Sequence, residues 1–304
     1  MLRKNKTLLI VAGPTAVGKT DLCINLAKKF NTNIISADSR QFYTEINIGT
    51  AKPSPAQLTE VRHHFINSHS IHEAYDVGRF EADALALLEA LFAQHELVIM
   101  TGGSGLYIDA VCKGFDAMPA VDKSIRAALN DRYEKQGLSA LQQQLKELDP
   151  DYYQAVDLNN PQRLIRALEV CIGSGKPYSS FRQKQTSPRP FQTLKIALQR
   201  DREELYTRID QRMDQMIAEG LFEEAATLYP YRHHNALQTV GYKEIFGYME
   251  GEYDKAEAIR LLKRNSRRYA KRQMTWFRKD EDYHWFHPSQ TEEIIAFISK
   301  TINA

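Results

Sequence analysis

The run Gly13-Pro14-Thr15-Ala16-Val17-Gly18-Lys19-Thr20 fits the pattern G-x-x-x-x-G-K-[ST]. It follows an apolar stretch, Leu8 to Ala12, and opens a helical pattern, Lys19 to Phe30, with Leu22, Leu26 and Phe30 on one face. That context gives the pattern its chemistry. Backbone N–H groups at a helix start cradle a phosphate, Lys19 adds a point charge, and the Thr20 hydroxyl suits Mg²⁺. The plain alternative is a tight glycine turn with no ligand. The motif leaves open whether the bound group is a nucleoside triphosphate or another diphosphate.

A motor-type NTPase needs an acid at the end of a second apolar strand to help hold Mg²⁺. The strand Leu97–Thr101 instead runs into Gly102-Gly103-Ser104-Gly105. The acid follows a different strand, Asn33 to Ala37, as Asp38. Open α/β sheets bind ligands beyond the carboxyl ends of their strands, so Asp38 and Ser104 should face the phosphate loop's crevice. A carboxylate there can take a proton from an attacking nucleophile. A turn-forming or capping Asp38, and a helix-capping Ser104, are the structural alternatives. Arg208 and Arg212, spaced i, i+4, present two guanidiniums from one helix face, a pair suited to a diphosphate leaving group. They could equally form surface pairs with Glu204, Asp210 and Asp214.

Net charge is +2 overall, but residues 260–279 hold nine Lys or Arg and no acid, leaving a body of net −7. Within that segment, residues 269–279 interleave cations with Tyr269, Trp276 and Phe277. That mixture grips nucleic-acid backbones and stacks on bases; a solvated charged face is the alternative. His63, His64, His69, His72, His284 and His287 have no Cys nearby, so surface or packing roles are expected over a metal site.

The elements that must hold these residues alternate strand and helix through the N-terminal half, with further helix at Phe80–Gln94, which implies a parallel sheet with helices on both faces. The rhythm breaks between 117 and 190, where Leu138–Leu148 and Gln162–Ile172 have helical periodicity and Gly173 to Pro177 stops a helix. Gln192–Leu198 returns to strand. Asp201 to Glu204 reads as a capping box opening a helix that ends at Gly220. A long helix from Asp254 to about Lys279 carries the basic segment. The expected fold is therefore α/β, a P-loop NTPase-like core of residues 1–116 and 191–304 with an all-helical insertion at 117–190. Composition is ordinary at 43% hydrophobic and 26% charged, which excludes collagen, coiled coil and wholesale disorder. Cys23, Cys112 and Cys171 form no CxxC pair, and the longest N-terminal apolar run is too short for a signal peptide or membrane span. A reduced, cytoplasmic setting without membrane follows as the expectation.

Taken together, GPTAVGKT (13–20), ISADSRQFY (35–43), IGTAKP (48–53), TGGSGLYIDA (101–110), NNPQRLIRALEV (159–170), TVGYKE (239–244) and YAKRQMTWFRKD (269–280) resemble the tRNA dimethylallyltransferases, in the family's order and over nearly the whole chain. Ser104 departs from the family's usual Thr but keeps the hydroxyl. No Cys follows Cys171, so the chain resembles the shorter bacterial form rather than eukaryotic relatives with a zinc finger. The resemblance implies transfer of a dimethylallyl group from dimethylallyl diphosphate to N6 of the adenosine 3′ of the anticodon. The phosphate loop, Gly13 to Thr20, would hold the donor's diphosphate with Mg²⁺ on Thr20, aided by Arg208 and Arg212. Asp38 would act as base, with Ser104 nearby and Arg126 beside this site. Contacts to the tRNA anticodon stem-loop would come from Asp38, Ser39, Arg40 and Gln41; from Gln162, Arg163, Leu164, Ile165 and Arg166; from Gln238, Thr239, Val240, Gly241, Tyr242 and Lys243; and from Lys271, Arg272, Gln273, Met274, Thr275, Trp276, Phe277 and Arg278. The target base would be flipped into the pocket, the insertion would grip the anticodon loop, and a monomer is expected. The rival is a small-molecule kinase, which leaves the basic-aromatic helix without a use.

Overall fold

A computed structural model describes residues 6–116, 118–182 and 187–302. Residue 117, at which the sequence places the start of the insertion, lies outside them. The chain forms two compact units: Lys113–Pro188, and the remainder on either side of it.

The first unit is built on strand β1 (Thr7–Ala12), buried at every position. A strand apolar on both faces belongs inside a parallel sheet. Helix α1 (Lys19–Lys29) follows the phosphate loop, and β2 (Ile34–Ser36), β3 (His63–His64), α2 (Val77–Phe92), β4 (Leu97–Gly102) and α3 (Gly105–Lys113) come next. After the second unit the chain returns as β5 (Gln192–Leu198), then β6 (His284–Phe286). Among the described residues the sheet has six strands in the order β3-β2-β4-β1-β5-β6, and every pairing is parallel. Side chains of β1 alternate between two cores. Leu8 and Ile10 pack with Phe80, Ala84 and Leu88 of α2. Leu9 and Val11 pack with Leu22 and Leu26 of α1. Helices therefore cover both faces, as the alternating pattern implies.

In the second unit, α4 (Lys123–Leu148) and α5 (Pro161–Ser174) share a core of Leu129, Leu141, Leu145, Leu164, Ile165 and Leu168. Gly137, at φ +74°, breaks the helical path within α4, so the periodicity that begins at Leu138 is its second half. Gly175 in the left-handed conformation caps α5.

The C-terminal part of the first unit contributes α6 (Arg202–Ala218), α7 (Leu221–Leu228), α8 (Tyr242–Met249), α9 (Lys255–Phe277) and α10 (Thr291–Ile302). The capping box expected at Asp201 does not close. Asp201 is the N-cap residue but its side chain makes no cap bond, and the Glu204 carboxylate, which the box would set on the Asp201 N–H, is drawn to Arg200 and His287. The histidine pairs also find their place: His63 and His64 form β3 and His284 opens β6, the two short edge strands. No helix among the described residues is long and apolar enough to cross a membrane.

The ends of β2 and β4 approach closely. A Cβ at Gly102 would lie 2.2 Å from the Ala37 carbonyl oxygen. Gly102→Ala must therefore part the two strands that carry Asp38 and Ser104. The expected loss is about 1–3 kcal/mol of stability, the scale of overpacking, measured by urea unfolding against the parent protein.

Candidate active site

Parallel strands put their carboxyl ends on one edge, and the loops leaving β1, β2 and β4 meet there. The phosphate loop, Asp38 and the end of β4 at Thr101 and Gly102 line a cleft of about 910 Å³ together with Arg208, Arg212, Gln41 and the segment from Asn47 to Leu58, while Ser104 lies outside its lining. The phosphate loop and Asp38 therefore share one cavity, as their positions after strands require.

The phosphate loop has the features of an anion cradle. Helix α1 begins after Gly18 with no side-chain cap, so its first N–H groups are unspent on protein side chains. Lys19 Nζ lies over the loop and donates to the carbonyls of Gly13 at 2.9 Å and Pro14 at 2.7 Å. Burial and the like charge of Arg212 bring the Lys19 pKa down to about 8, against the opposing pull of Asp38.

Arg208 and Arg212 are turned to this cleft, not to the surface carboxylates. Arg208 Nε donates to the Ala16 carbonyl at 2.9 Å, and Arg212 donates to the Ala51 carbonyl at 3.1 Å. The acids that offered surface pairs are engaged elsewhere: Asp210 with Arg267, Asp214 with Lys263, Glu204 with Arg200. Burial lowers the Arg212 pKa, with Asp38 opposing and Arg208 reinforcing the shift. Lys19, Arg208 and Arg212 thus bring cationic charge to the phosphate-loop end of the cleft, where Asp38 is the carboxylate that both Lys19 and Arg212 feel.

Asp38 has a structural duty as well. One oxygen accepts the Arg40 N–H at 2.9 Å, the turn chemistry natural to an Asp at this place. Among the described residues, its other oxygen accepts no hydrogen bond. The Ser104 Oγ accepts the Ser39 N–H at 3.1 Å and so ties the β4 loop to the β2 loop. Tyr269, from α9, lies beside Ser104, and burial followed by the charge of Asp38 pushes its pKa up to about 12.

Arg126 belongs to the second unit, where it donates to Glu169 at 3.1 Å. Arg166 donates to the same Glu169 oxygen, again at 3.1 Å. Glu169 is buried and anchors both arginines, a role that the string Leu168-Glu169-Val170 does not disclose.

The stretches expected to meet RNA divide by exposure. Gln162, Arg163, Gln238, Lys243, Lys271, Arg272, Thr275, Trp276 and Arg278 are exposed, and Asp38 to Gln41, Arg166, Thr239, Val240 and Met274 are half-buried. Leu164, Ile165, Gly241, Tyr242, Gln273 and Phe277 are buried. The side chains of these six are packed or hydrogen-bonded within the protein.

Tyr242 exemplifies the difference. Its hydroxyl donates to Glu224 at 2.7 Å. The Glu224 carboxylate also accepts backbone N–H groups of Asn47, Ile48 and Gly49 at 2.8 to 3.0 Å. The segment 48–53, which walls the cleft, is thereby clamped to α7 and α8. In the sequence Glu224 is one of two adjacent acids on a short helix, and nothing local marks it. Lys52 in the same segment donates to Asn47 Oδ1, and burial lowers its pKa to about 8.

No group of three or more His, Cys, Asp or Glu among the described residues assembles as a cation site. His69 instead stacks on Tyr75 at 3.7 Å.

Residues 41–280 match the family model described as IPP transferase. The chain belongs to the IPP transferase family. Its curated relatives include tRNA dimethylallyltransferase 1 of Bacteroides fragilis, 51% identical over 98% of this chain and 99% of that one. The tRNA dimethylallyltransferase of Cytophaga hutchinsonii is 52% identical over 97% of each. Among solved structures, the full-length tRNA isopentenylpyrophosphate transferase of Bacillus halodurans superposes with a TM-score of 0.73 at 37% identity, covering 98% of this chain and 97% of that one. A eukaryotic dimethylallyltransferase acting on tRNA gives a TM-score of 0.78 at 27% identity, covering 98% of this chain and 80% of that one. The IPP transferase fold thus includes the parallel sheet and phosphate loop built up above.

Tyr242→Phe removes one donor from a charged, part-buried acceptor while keeping the ring. The expected cost is about 1.5–3 kcal/mol, the range for hydrogen bonds to charged groups. Chemical denaturation of the variant and parent gives the difference.

Proposed function

We propose that this enzyme transfers a dimethylallyl group from dimethylallyl diphosphate to N6 of the adenosine immediately 3′ of the anticodon in tRNA, releasing diphosphate. The observation that carries the reading is Asp38, with an uncommitted carboxylate oxygen, in the same cleft as a phosphate loop and two inward-turned arginines. Relatives named tRNA dimethylallyltransferase at about half identity over nearly the full chain support the substrate assignment.

In this reading the diphosphate lies over the α1 N-terminus, with Lys19, Arg208 and Arg212 around it. As the allylic C1–O bond breaks, the electron pair leaves with the diphosphate oxygen, and the cations already in place stabilise that charge without reorganisation. The N6 lone pair is delocalised into the adenine ring, so it needs both an allylic carbon that tolerates positive charge and a base. Attack forms the N6–C1 bond, and the N6 proton passes to Asp38. Ser104 holds the β2 loop and so helps to fix Asp38. Thr20 offers a hydroxyl oxygen that suits a hard cation keeping most of its water. Mg²⁺ held there would neutralise diphosphate charge. Arg126 is assigned to the reaction, poised by Glu169, and Arg163, Arg166 and the exposed residues of α9 to the RNA backbone and bases, with the second unit gripping the anticodon loop.

The test is incubation of purified protein with labelled dimethylallyl diphosphate, Mg²⁺ and an anticodon stem-loop carrying the target adenosine, with ATP in a parallel reaction. Transfer of label to RNA without ATP is expected; consumption of ATP with no labelled RNA overturns the assignment in favour of a kinase. In the same assay Asp38→Asn, which keeps an acceptor for the Arg40 N–H, should slow transfer by roughly 10²–10⁴-fold at unchanged RNA affinity. A fall of less than about tenfold reduces Asp38 to its turn-forming duty.

Replacing Lys271, Arg272 and Arg278 together by Ala should weaken RNA binding and flatten its salt dependence. The slope of log affinity against log salt is expected to drop by roughly 0.7–0.9 for each phosphate that the variant no longer neutralises. Filter binding over a salt series measures it.

A further inference from the structure

The side chain of Gln273 is buried although it lies within the most basic segment of the molecule. Its Oε1 accepts the Thr15 N–H of the phosphate loop at 2.9 Å, and its Nε2 donates to the Gly103 carbonyl at 3.0 Å. One amide therefore joins the loops that leave β1 and β4. Gly103 is shaped to admit it: a Cβ there would lie 2.1 Å from Gln273 Nε2.

The surrounding contacts give this bridge a direction. On α9, Tyr269, Gln273 and Trp276 fall on one stripe, at i, i+4 and i+7. Tyr269 lies beside Ser104, Gln273 donates to the Gly103 carbonyl, and Trp276 Nε1 donates to Asp109 at 2.9 Å. The helix is thus latched along the chain that follows β4. Of the three, Gln273 also reaches the phosphate loop. On either side of it Arg272 and Trp276 are exposed, Trp276 at 38%.

The chemistry of the position is narrow. Thr15 N–H needs an acceptor and the Gly103 carbonyl needs a donor, and a neutral amide supplies both without charge. A carboxylate would set an acceptor against the Gly103 oxygen and place negative charge beside the anion cradle. An apolar side chain would leave both backbone groups unpaired.

We propose that Gln273 is a positioning residue for the donor diphosphate: by holding Thr15 against the β4 loop it sets the shape of the phosphate loop, and it does so from the helix whose exposed residues meet the RNA. The inference rests on the proposed function for the identity of the donor. It assigns Gln273 to the donor side of the reaction and not to RNA contact.

The test compares Gln273→Met, Gln273→Glu and Gly103→Ala with the parent protein. The last keeps the amide but displaces it, so a shared defect identifies the bridge rather than a folding fault in one variant. Three quantities are measured: the KM for dimethylallyl diphosphate in the transfer assay, the affinity for the stem-loop, and the affinity for inorganic diphosphate with Mg²⁺ by calorimetry. Donor KM and diphosphate affinity should each worsen by about tenfold or more, the scale of a lost buried hydrogen-bond partner, with stem-loop affinity within about twofold of the parent. Weakened stem-loop binding with unchanged diphosphate affinity overturns the proposal and returns Gln273 to the RNA surface. No change in any of the three overturns it as well. Transfer by the parent protein judges the proposed function separately, because diphosphate calorimetry decides the role of Gln273 even if no prenyl group moves.

Discussion

Parallel pairing of β1 with both β4 and β5 is the constraint on which the rest of the molecule rests. Parallel neighbours end on the same edge, so the chain leaving each of them must turn close to the others. The phosphate loop, the Gly103-Ser104 turn and Arg200 are brought together for this reason. The small residues Ala37 and Gly102 let β2 and β4 end close enough for the Ser104 hydroxyl to reach the Ser39 N–H. Without that closeness Asp38 would have no fixed relation to the loop that starts at Gly13.

Charge is sorted around this edge. Helix α6 carries Arg208 and Arg212 toward the cleft, while its acids Asp210 and Asp214 pair with Arg267 and Lys263 of α9. Those pairs do two things at once. They hold α6 against α9, and they turn two carboxylates away from a cleft suited to an anion. Exposed pairs of this kind contribute little stability singly; their consequence here lies in which side of α6 stays cationic.

The long apolar runs are readable in the sequence because they satisfy simple periods: β1 and β4 as nearly continuous buried strands, α1 and α2 as one-faced helices. The edge strands β3 and β6 are not. Two or three residues of His, Trp and Phe carry no period, and only backbone pairing to a neighbour defines them. The site is readable where a function is local, as in the run from Gly13 to Thr20. It is hidden where a function is a long-range contact. Glu224, Glu169 and Gln273 each act on a partner that no local pattern names, and the capping pattern at Asp201 does not close, its Glu204 drawn instead to Arg200 and His287. The acid-free stretch 260–279 also overstates the free charge, since Lys263 and Arg267 are neutralised from α6 and Arg260 by Glu257. Among the described residues, Lys271, Arg272 and Arg278 keep their charge without a carboxylate partner and are exposed.

The bridge between Thr15 and Gln273 joins residues 258 positions apart. A chain made at about 5–20 residues per second therefore waits roughly 13–50 seconds between synthesising the phosphate loop and synthesising the amide that braces it. During that interval β1 and β4 can pair, but the loop between β1 and α1 lacks its support. The nascent protein consequently completes its anion cradle late, once the basic helix has been made. Pairing of β1 with β5 must also wait for the whole second unit to emerge. Such late, distant pairings make folding slow and leave apolar strand edges exposed meanwhile.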